Sequence, residues 1–248
     1  MITDATTLLA AAVRNNADWC DTLCRAHGLP GSFGARAWTN PRRTPPYYPD
    51  AVTLSEDATA EDVLDGVDLG RPGASVKDSY GRLDLGPGFR RLFTARWIHR
   101  PADRPGLPIT AGHRRVTTEA ELAAWARAWS GDDAEDAALI RPELLADPST
   151  TIVGAYDVGG RVLGGAVLTE SAGVTGVSNL FTADDIPISL AWAGALAAAT
   201  PGLPVVGYES GDDLAAAKDV GFEELGPLTV WMAVPAEALT ACPPRARP

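Results

Sequence analysis

Residues 203–232, LPVVGYESGDDLAAAKDVGFEELGPLTVWM, constrain the fold more than any other stretch of the chain. Pro204-Val205-Val206-Gly207-Tyr208 is a short apolar run with β-branched residues, which reads as a buried strand. Glu209 and Ser210 end it. Gly211-Asp212-Asp213 then turns the chain into a helix, with both acids at the positive end of its dipole. Leu214, Ala217 and Lys218 carry one short helix, and Gly221 stops it where a left-handed residue is usual. From Phe222 to Met232 the alternation of a strand returns. The stretch predicts an α/β fold.

Upstream, residues 6–27 carry Leu9, Val13, Asn16, Cys20, Leu23 and His27 at helical spacing, and Gly28-Leu29-Pro30 ends that helix. Asn16 is polar on an apolar face and needs partners if buried. Cys20, Cys24 and His27 share the face without a fourth ligand nearby, so buried thiols beside a satisfied histidine are expected and no metal. Strands are predicted at 51–54, 74–80 and 89–99, and a short helix at 59–67. Residues 101–108, PADRPGLP, read as a linker. After it come a strand at 113–117, a helix at 118–129 with Thr118 and Glu121 as a capping box, and a helical turn at 142–146. Strands at 152–157, 162–169 and 176–181 follow, then a helix at 189–199. Gly159-Gly160 fits a tight hairpin.

From His113 onward this order resembles the GNAT superfamily, acetyl-CoA-dependent N-acyltransferases and their relatives. The residues that carry the resemblance are 205–210, then Ala216-Ala217-Lys218-Asp219-Val220-Gly221-Phe222, then 228–232. The resemblance implies a mixed sheet flanked by helices, in which two neighbouring parallel strands splay apart. An acyl thioester lies in the notch, and the diphosphate of coenzyme A sits on the next helix N-terminus. The family motif there is Gln/Arg-x-x-Gly-x-Gly/Ala, whose glycines let backbone amides approach the phosphates. The matching segment here is Phe181-Thr182-Ala183-Asp184-Asp185-Ile186-Pro187-Ile188-Ser189, with no glycine, no arginine, one proline and two acids. The expectation is therefore a GNAT-like domain without a bound cofactor, acting on an amine by intramolecular attack, elimination or cyclisation in specialised metabolism. The alternative is an acetyl-CoA-dependent N-acetyltransferase with a divergent loop. A second alternative is a non-catalytic partner subunit.

For the notch the expected substrate-binding residues are Ser178, Asn179, Tyr208 and Ser210. Trp38 joins them from an aromatic N-terminal loop that also holds Tyr47 and Tyr48, as lid or contact surface. Asp132, Asp133 and Glu209 are the expected catalytic carboxylates, binding a substrate ammonium or accepting its proton. As acetyltransferase, Tyr208 would serve as acid to the thiolate.

The first half echoes the second. Residues 74–80, Leu83-Asp84-Leu85, Gly88-Phe89 and 92–98 run parallel to 205–210, Asp213-Leu214, Gly221-Phe222 and 228–232. Two readings account for this: a cut-down GNAT-like module, or the likeness of any two strand-helix-strand units. The expected organisation is 1–108 as N-terminal helix and partial module, 109–236 as GNAT-like domain and 237–248 as tail.

A net charge of −11 argues against nucleic acid or an anionic membrane as partner, since both want clustered cations. No apolar run approaches membrane-spanning length, and the N-terminus lacks the features of a signal peptide. Three cysteines make a disulfide framework unexpected and a reducing cytoplasm the expected setting. Lys77 and Lys218 are the sole lysines among many arginines, a bias of GC-rich coding such as actinomycetes have.

Overall fold

The computed structural model describes residues 4–109, 111–183 and 186–234. In chain order the elements are α1 (Ala5–Ala26), β1 (Ser32–Phe33), β2 (Ala37–Thr39), β3 (Ala51–Thr53), α2 (Ala60–Leu64), β4 (Ser75–Asp78), β5 (Phe89–Arg100), β6 (Gly112–Arg115), α3 (Glu119–Trp129), α4 (Ala134–Ala137), β7 (Thr150–Tyr156), β8 (Val162–Ser171), β9 (Val174–Thr182), α5 (Ile188–Ala198), β10 (Val205–Glu209), α6 (Gly211–Asp219) and β11 (Glu223–Ala233). A 3-10 turn, Pro142–Ala146, precedes β7. Local chemistry explains most boundaries. Asp4 caps α1 by accepting from the Thr7 amide, and capping boxes start α2 (Thr59, Asp62) and α3 (Thr118, Glu121). Gly221 follows α6 at φ 93°, a conformation costly for a residue with a Cβ.

The chain forms two compact units: Met1–Pro30 with Ala95–Pro227, and Gly31–Thr94 with Leu228–Pro248. This division differs from a cut at residue 108, for a topological reason. β5 follows β4 in the chain, yet its end, Arg96–Arg100, pairs antiparallel with β10. β11 follows β10, yet Thr229–Met232 pairs antiparallel with β4. Each unit is thus completed by the strand that follows the other's parallel pair.

In the first unit, β6, β7, β8 and β9 form an antiparallel run, and β9 pairs parallel with β10. Strand alternation sends Ala166, Leu168, Val177 and Val205 into one core with Trp192 of α5 and Phe222. Trp192 and Phe222 rings lie 4.5 Å apart. Each such buried side chain contributes roughly 1.5–3 kcal/mol. The opposite face of the sheet takes α1 and α3. Asn15 of α1 donates to the carbonyl of Thr169 (2.8 Å) and to Ser171 Oγ (3.1 Å), over the space above Gly176. Asn16, the polar residue expected to need partners on that face, is buried as well. Trp125 of α3 lies on Gly165 and donates to the Val153 carbonyl at 2.8 Å; a Cβ at position 165 would overlap its ring. Cys20 and Cys24 are buried and in no disulfide, and His27 Nε2 lies 2.9 Å from the Leu139 carbonyl. Buried Arg100 clamps the start of the 101–108 loop, donating to the carbonyls of Val220 (2.9 Å) and Pro105.

In the second unit, β1 and β2 form a hairpin, β2 pairs antiparallel with β3, and β3 runs parallel to β4. α2 closes a core of Ala37, Ala51, Val63, Val76 and Leu85. Among the described residues no helix is long and apolar enough to cross a membrane, and no group of His, Cys, Asp or Glu is placed to hold a metal.

Candidate active site

β9 and β10 are paired at Val205↔Thr175 and Val206↔Gly176, and the pairing stops there. A bulge in β9 accompanies the break. Against β8 the register shifts between Gly165↔Phe181 and Val167↔Ser178, so β9 holds one extra residue. Asn179, at φ 50°, is that residue. Its effect is visible in the faces: Val177 and Leu180, three apart, both belong to the core under α5. Phe181 turns the other way and meets Trp125 edge-on at 5.1 Å. Asparagine tolerates the left-handed region better than other side-chain-bearing residues, which explains its place here.

β10 continues straight past the break, bonded to β5 through Glu209↔Arg96. Successive side chains therefore alternate. Tyr208 lies on the α3 face, edge-on to Trp97 at 5.5 Å. Glu209 lies on the α5–α6 face. Burial, and secondarily the charge of Asp213, push the Glu209 carboxyl up to about 7. A carboxylate tuned there exchanges protons at neutral pH.

Of the sequence-derived site residues, the structure brings Ser178, Asn179, Tyr208, Glu209 and Ser210 to the ends of the parted strands, with Tyr208 and Glu209 on opposite faces. The remaining three are placed elsewhere. Asp133 is exposed and committed to capping α4, accepting from the amides of Glu135 and Asp136 at 2.9 Å each. Asp132 is exposed in the left-handed turn before it, φ 66°, its amide on the Arg127 carbonyl at 2.8 Å. Neither bonds to β9 or β10, because the acidic turn closes on itself to start α4. Trp38 is fully buried inside the second unit, against Gly31, so its ring presents no surface to a ligand. Arg96 pairs with Glu224 at 2.6 Å. Trp97 and Asp213, absent from the sequence-derived set, are the neighbours that define Tyr208 and Glu209. Residue 213 was readable as a helix-start acid, but Trp97 carried no local signal of a site.

Solved structures share this architecture. A GCN5-related N-acetyltransferase from Kribbella flavida matches at TM-score 0.59 and 17% identity, over 92% of this chain and 97% of that one. The chain has the GNAT fold. A putative GNAT-family acetyltransferase from Novosphingobium aromaticivorans matches at TM-score 0.54 and 14% identity, over 88% of this chain and 96% of that one. A functionally unknown conserved protein from Staphylococcus epidermidis matches at TM-score 0.55 and 9% identity, over 82% and 92%. No protein-family model and no curated protein matches the sequence.

In GNAT-fold terms, the segment from β9 into α5 is where a coenzyme A diphosphate would sit. The residues present do not fit one. The Ala183 amide is taken by the Leu163 carbonyl (2.9 Å), the Ile186 amide by the Ala183 carbonyl (3.1 Å), and the Leu190 amide by the Pro187 carbonyl (2.9 Å). Pro187 has no amide hydrogen. Thr182 Oγ1 folds back on the Ile186 carbonyl at 2.8 Å. Asp184 and Asp185, the two acids expected to repel phosphate, lie outside the described residues.

Proposed function

We propose that the chain is an N-acyltransferase that moves an acyl group from a pantetheine-type thioester to an amine. The observation that carries the reading is the bulge at Asn179, just past the end of the β9–β10 ladder and near a carboxylate tuned to about 7. The parted strand edges offer backbone groups to an extended amide-bearing ligand and space for its acyl carbon. Glu209 takes the proton of the acceptor's ammonium group, and the freed amine attacks the acyl carbon. The C–N bond forms as the C–S bond breaks. Tyr208, braced by Trp97, supplies a proton to the departing sulfur from the other face. The fold shared with acetyltransferases supports this reading over chemistry without a thioester. Elimination or cyclisation at the amine remains the second reading, favoured by the poor diphosphate seat.

The test is thiol release from acetyl-CoA and from S-acetyl-pantetheine across a panel of primary amines, with product masses recorded. Amine-dependent thiol release that falls in Glu209→Gln is expected. Absence of release with every amine and both donors, while an amine is converted to a product lacking an acyl group, moves the assignment to the second reading.

A further inference from the structure

We infer that the chain holds a second ligand site, apart from the parted strands, that takes an apolar monoamine. The inference stands without the acyl-transfer reading. A cavity of about 900 Å³ lies within the first unit, beside the start of α1. Gly173 and Pro204 border it, each one residue ahead of a strand, β9 and β10. It therefore sits where those strands begin. Glu209 is the last of the five residues of β10, roughly 17 Å further along. A ligand here is out of reach of that carboxylate.

Local choices leave the space open. Gly173 and Gly202, at φ 77° and 85°, turn the chain tightly and put no side chain into it. Ala5 and Leu8, three apart, share one face of α1, and Ala5 is too short to fill the room beside it. Leu8, Leu203, Pro204 and Leu225 make the lining mainly apolar. A volume of this order suits a small organic molecule.

The charged groups are all of one sign. Asp4 and Asp103 stand exposed on the rim. The Thr7 amide and hydroxyl donate to Asp4 and hold its carboxyl below the usual range, so it is charged at neutral pH. Among the described lining residues His99 is the one basic side chain, and burial holds its imidazole below the usual range, in the neutral form. With Nε2–H toward Glu223 at 3.8 Å, its buried Nδ1 is left as an acceptor. Arg104, beside the rim, is spent on Glu223 at 2.5 Å. Backbone donors are few. The Leu8 amide is on the Asp4 carbonyl at 3.0 Å and the Leu203 amide on the Thr200 carbonyl at 3.2 Å, while Pro101 and Pro204 have no amide hydrogen. An anion would meet two carboxylates with no cation to offset them. An alkylammonium covers the apolar walls with its chain and sets its charge at the acidic rim.

Calorimetric titration of the full chain with n-octylamine, n-octanol and octanoate tests this, since the three share a chain and differ in head-group charge. Octylamine is expected to bind about fivefold or more tighter than octanol, with octanoate weaker than either. The preference is expected to shrink at high salt. Asp103→Asn, in an exposed loop, is expected to weaken octylamine about threefold and leave octanol unchanged. Ala5→Trp, which fills the cavity from an exposed helix position, is expected to abolish binding of both at an unchanged melting temperature. Glu209→Gln is expected to keep octylamine affinity within about twofold of wild type. If Ala5→Trp melts early, Asp103→Asn decides alone. No binding of octylamine at millimolar concentration overturns the inference, as does octanoate binding as tightly as octylamine. Binding that survives Ala5→Trp in a folded protein does the same. Loss in Glu209→Gln instead would put the amine at the parted strands, and dimerisation that Ala5→Trp disrupts would give the cavity to a second copy; either overturns the proposal.

Discussion

β9 with β10 and β3 with β4 are parallel pairs of the same design. Each is joined through a helix, and each second strand is flanked by an antiparallel strand taken from the far end of the other pair's sequence. Their C-terminal ends differ. In the first unit the ladder stops at Val206↔Gly176, Asn179 adds a residue to β9, and Glu209 stands at the break. In the second unit the ladder likewise ends after two pairs, at Val52↔Lys77, and side chains bond across the strands beyond it. The Ser79 amide donates to Thr53 Oγ1 at 2.8 Å, and the Tyr80 hydroxyl donates to the Leu54 carbonyl at 3.3 Å. Asp78 folds the next turn inward by accepting from the amides of Tyr80 and Leu83. Beyond equally short ladders, one pair carries an inserted residue and the other is bonded across by a threonine and a tyrosine.

The largest effect is expected from deleting Asn179. The deletion leaves Leu180 and Phe181 on their present faces and makes the pairing of β9 with β8 one to one. Thioester binding is expected to be abolished in calorimetry with little change in denaturant unfolding. Retained binding would mean the bulge is incidental to the opening.

Next is Glu209→Gln, expected to lower acyl transfer by roughly 10²- to 10⁴-fold with donor affinity unchanged. The wild-type rate is expected to rise with pH through about 7, and the variant to lack that limb. Stability carries a separate signature. The folded pKa is raised above the ordinary 4.5, so the group's contribution is fully present below about 4.5 and is lost as pH rises through about 7. Glu209→Gln is therefore expected to match wild type in melting temperature at acidic pH and to exceed it above neutrality. The same difference at every pH would show that Glu209 titrates normally.

Thr53→Val probes the cross-bonded pair. It removes the acceptor of a buried amide at nearly constant shape, and a cost of about 1–3 kcal/mol is expected in chemical denaturation. No second thioester site is expected to appear, since β3 has no inserted residue. A second binding event in calorimetry would show that the staple alone keeps the pair closed. The smallest effects belong to the acidic turn. Asp132→Asn and Asp133→Asn are expected to leave acyl transfer within about twofold of wild type, and Asp133→Ala to cost at most about 1 kcal/mol through the α4 cap. A large kinetic loss in either would bring that turn into the site against its observed bonding.

Residues 203–232 determined their own strand, helix, glycine stop and strand, and the capping boxes at Thr59 and Thr118 set two helix starts. The first helix and the run of strands from Ile152 to Phe181 were legible in the same way. All these signals are local: periodicity, a cap within one turn, a glycine at positive φ. The pair Glu209 and Asn179 was visible as polar residues at strand ends, but not what each does. Only the tertiary structure decided that β5 and β11 exchange places, because a strand's partner is chosen by residues more than a hundred positions away. It alone separated Tyr208 from Glu209 by face, buried Trp38, and drew Asp133 into a cap. It also raised the Glu209 carboxyl, since desolvation depends on everything folded around a group and on nothing adjacent to it in the chain.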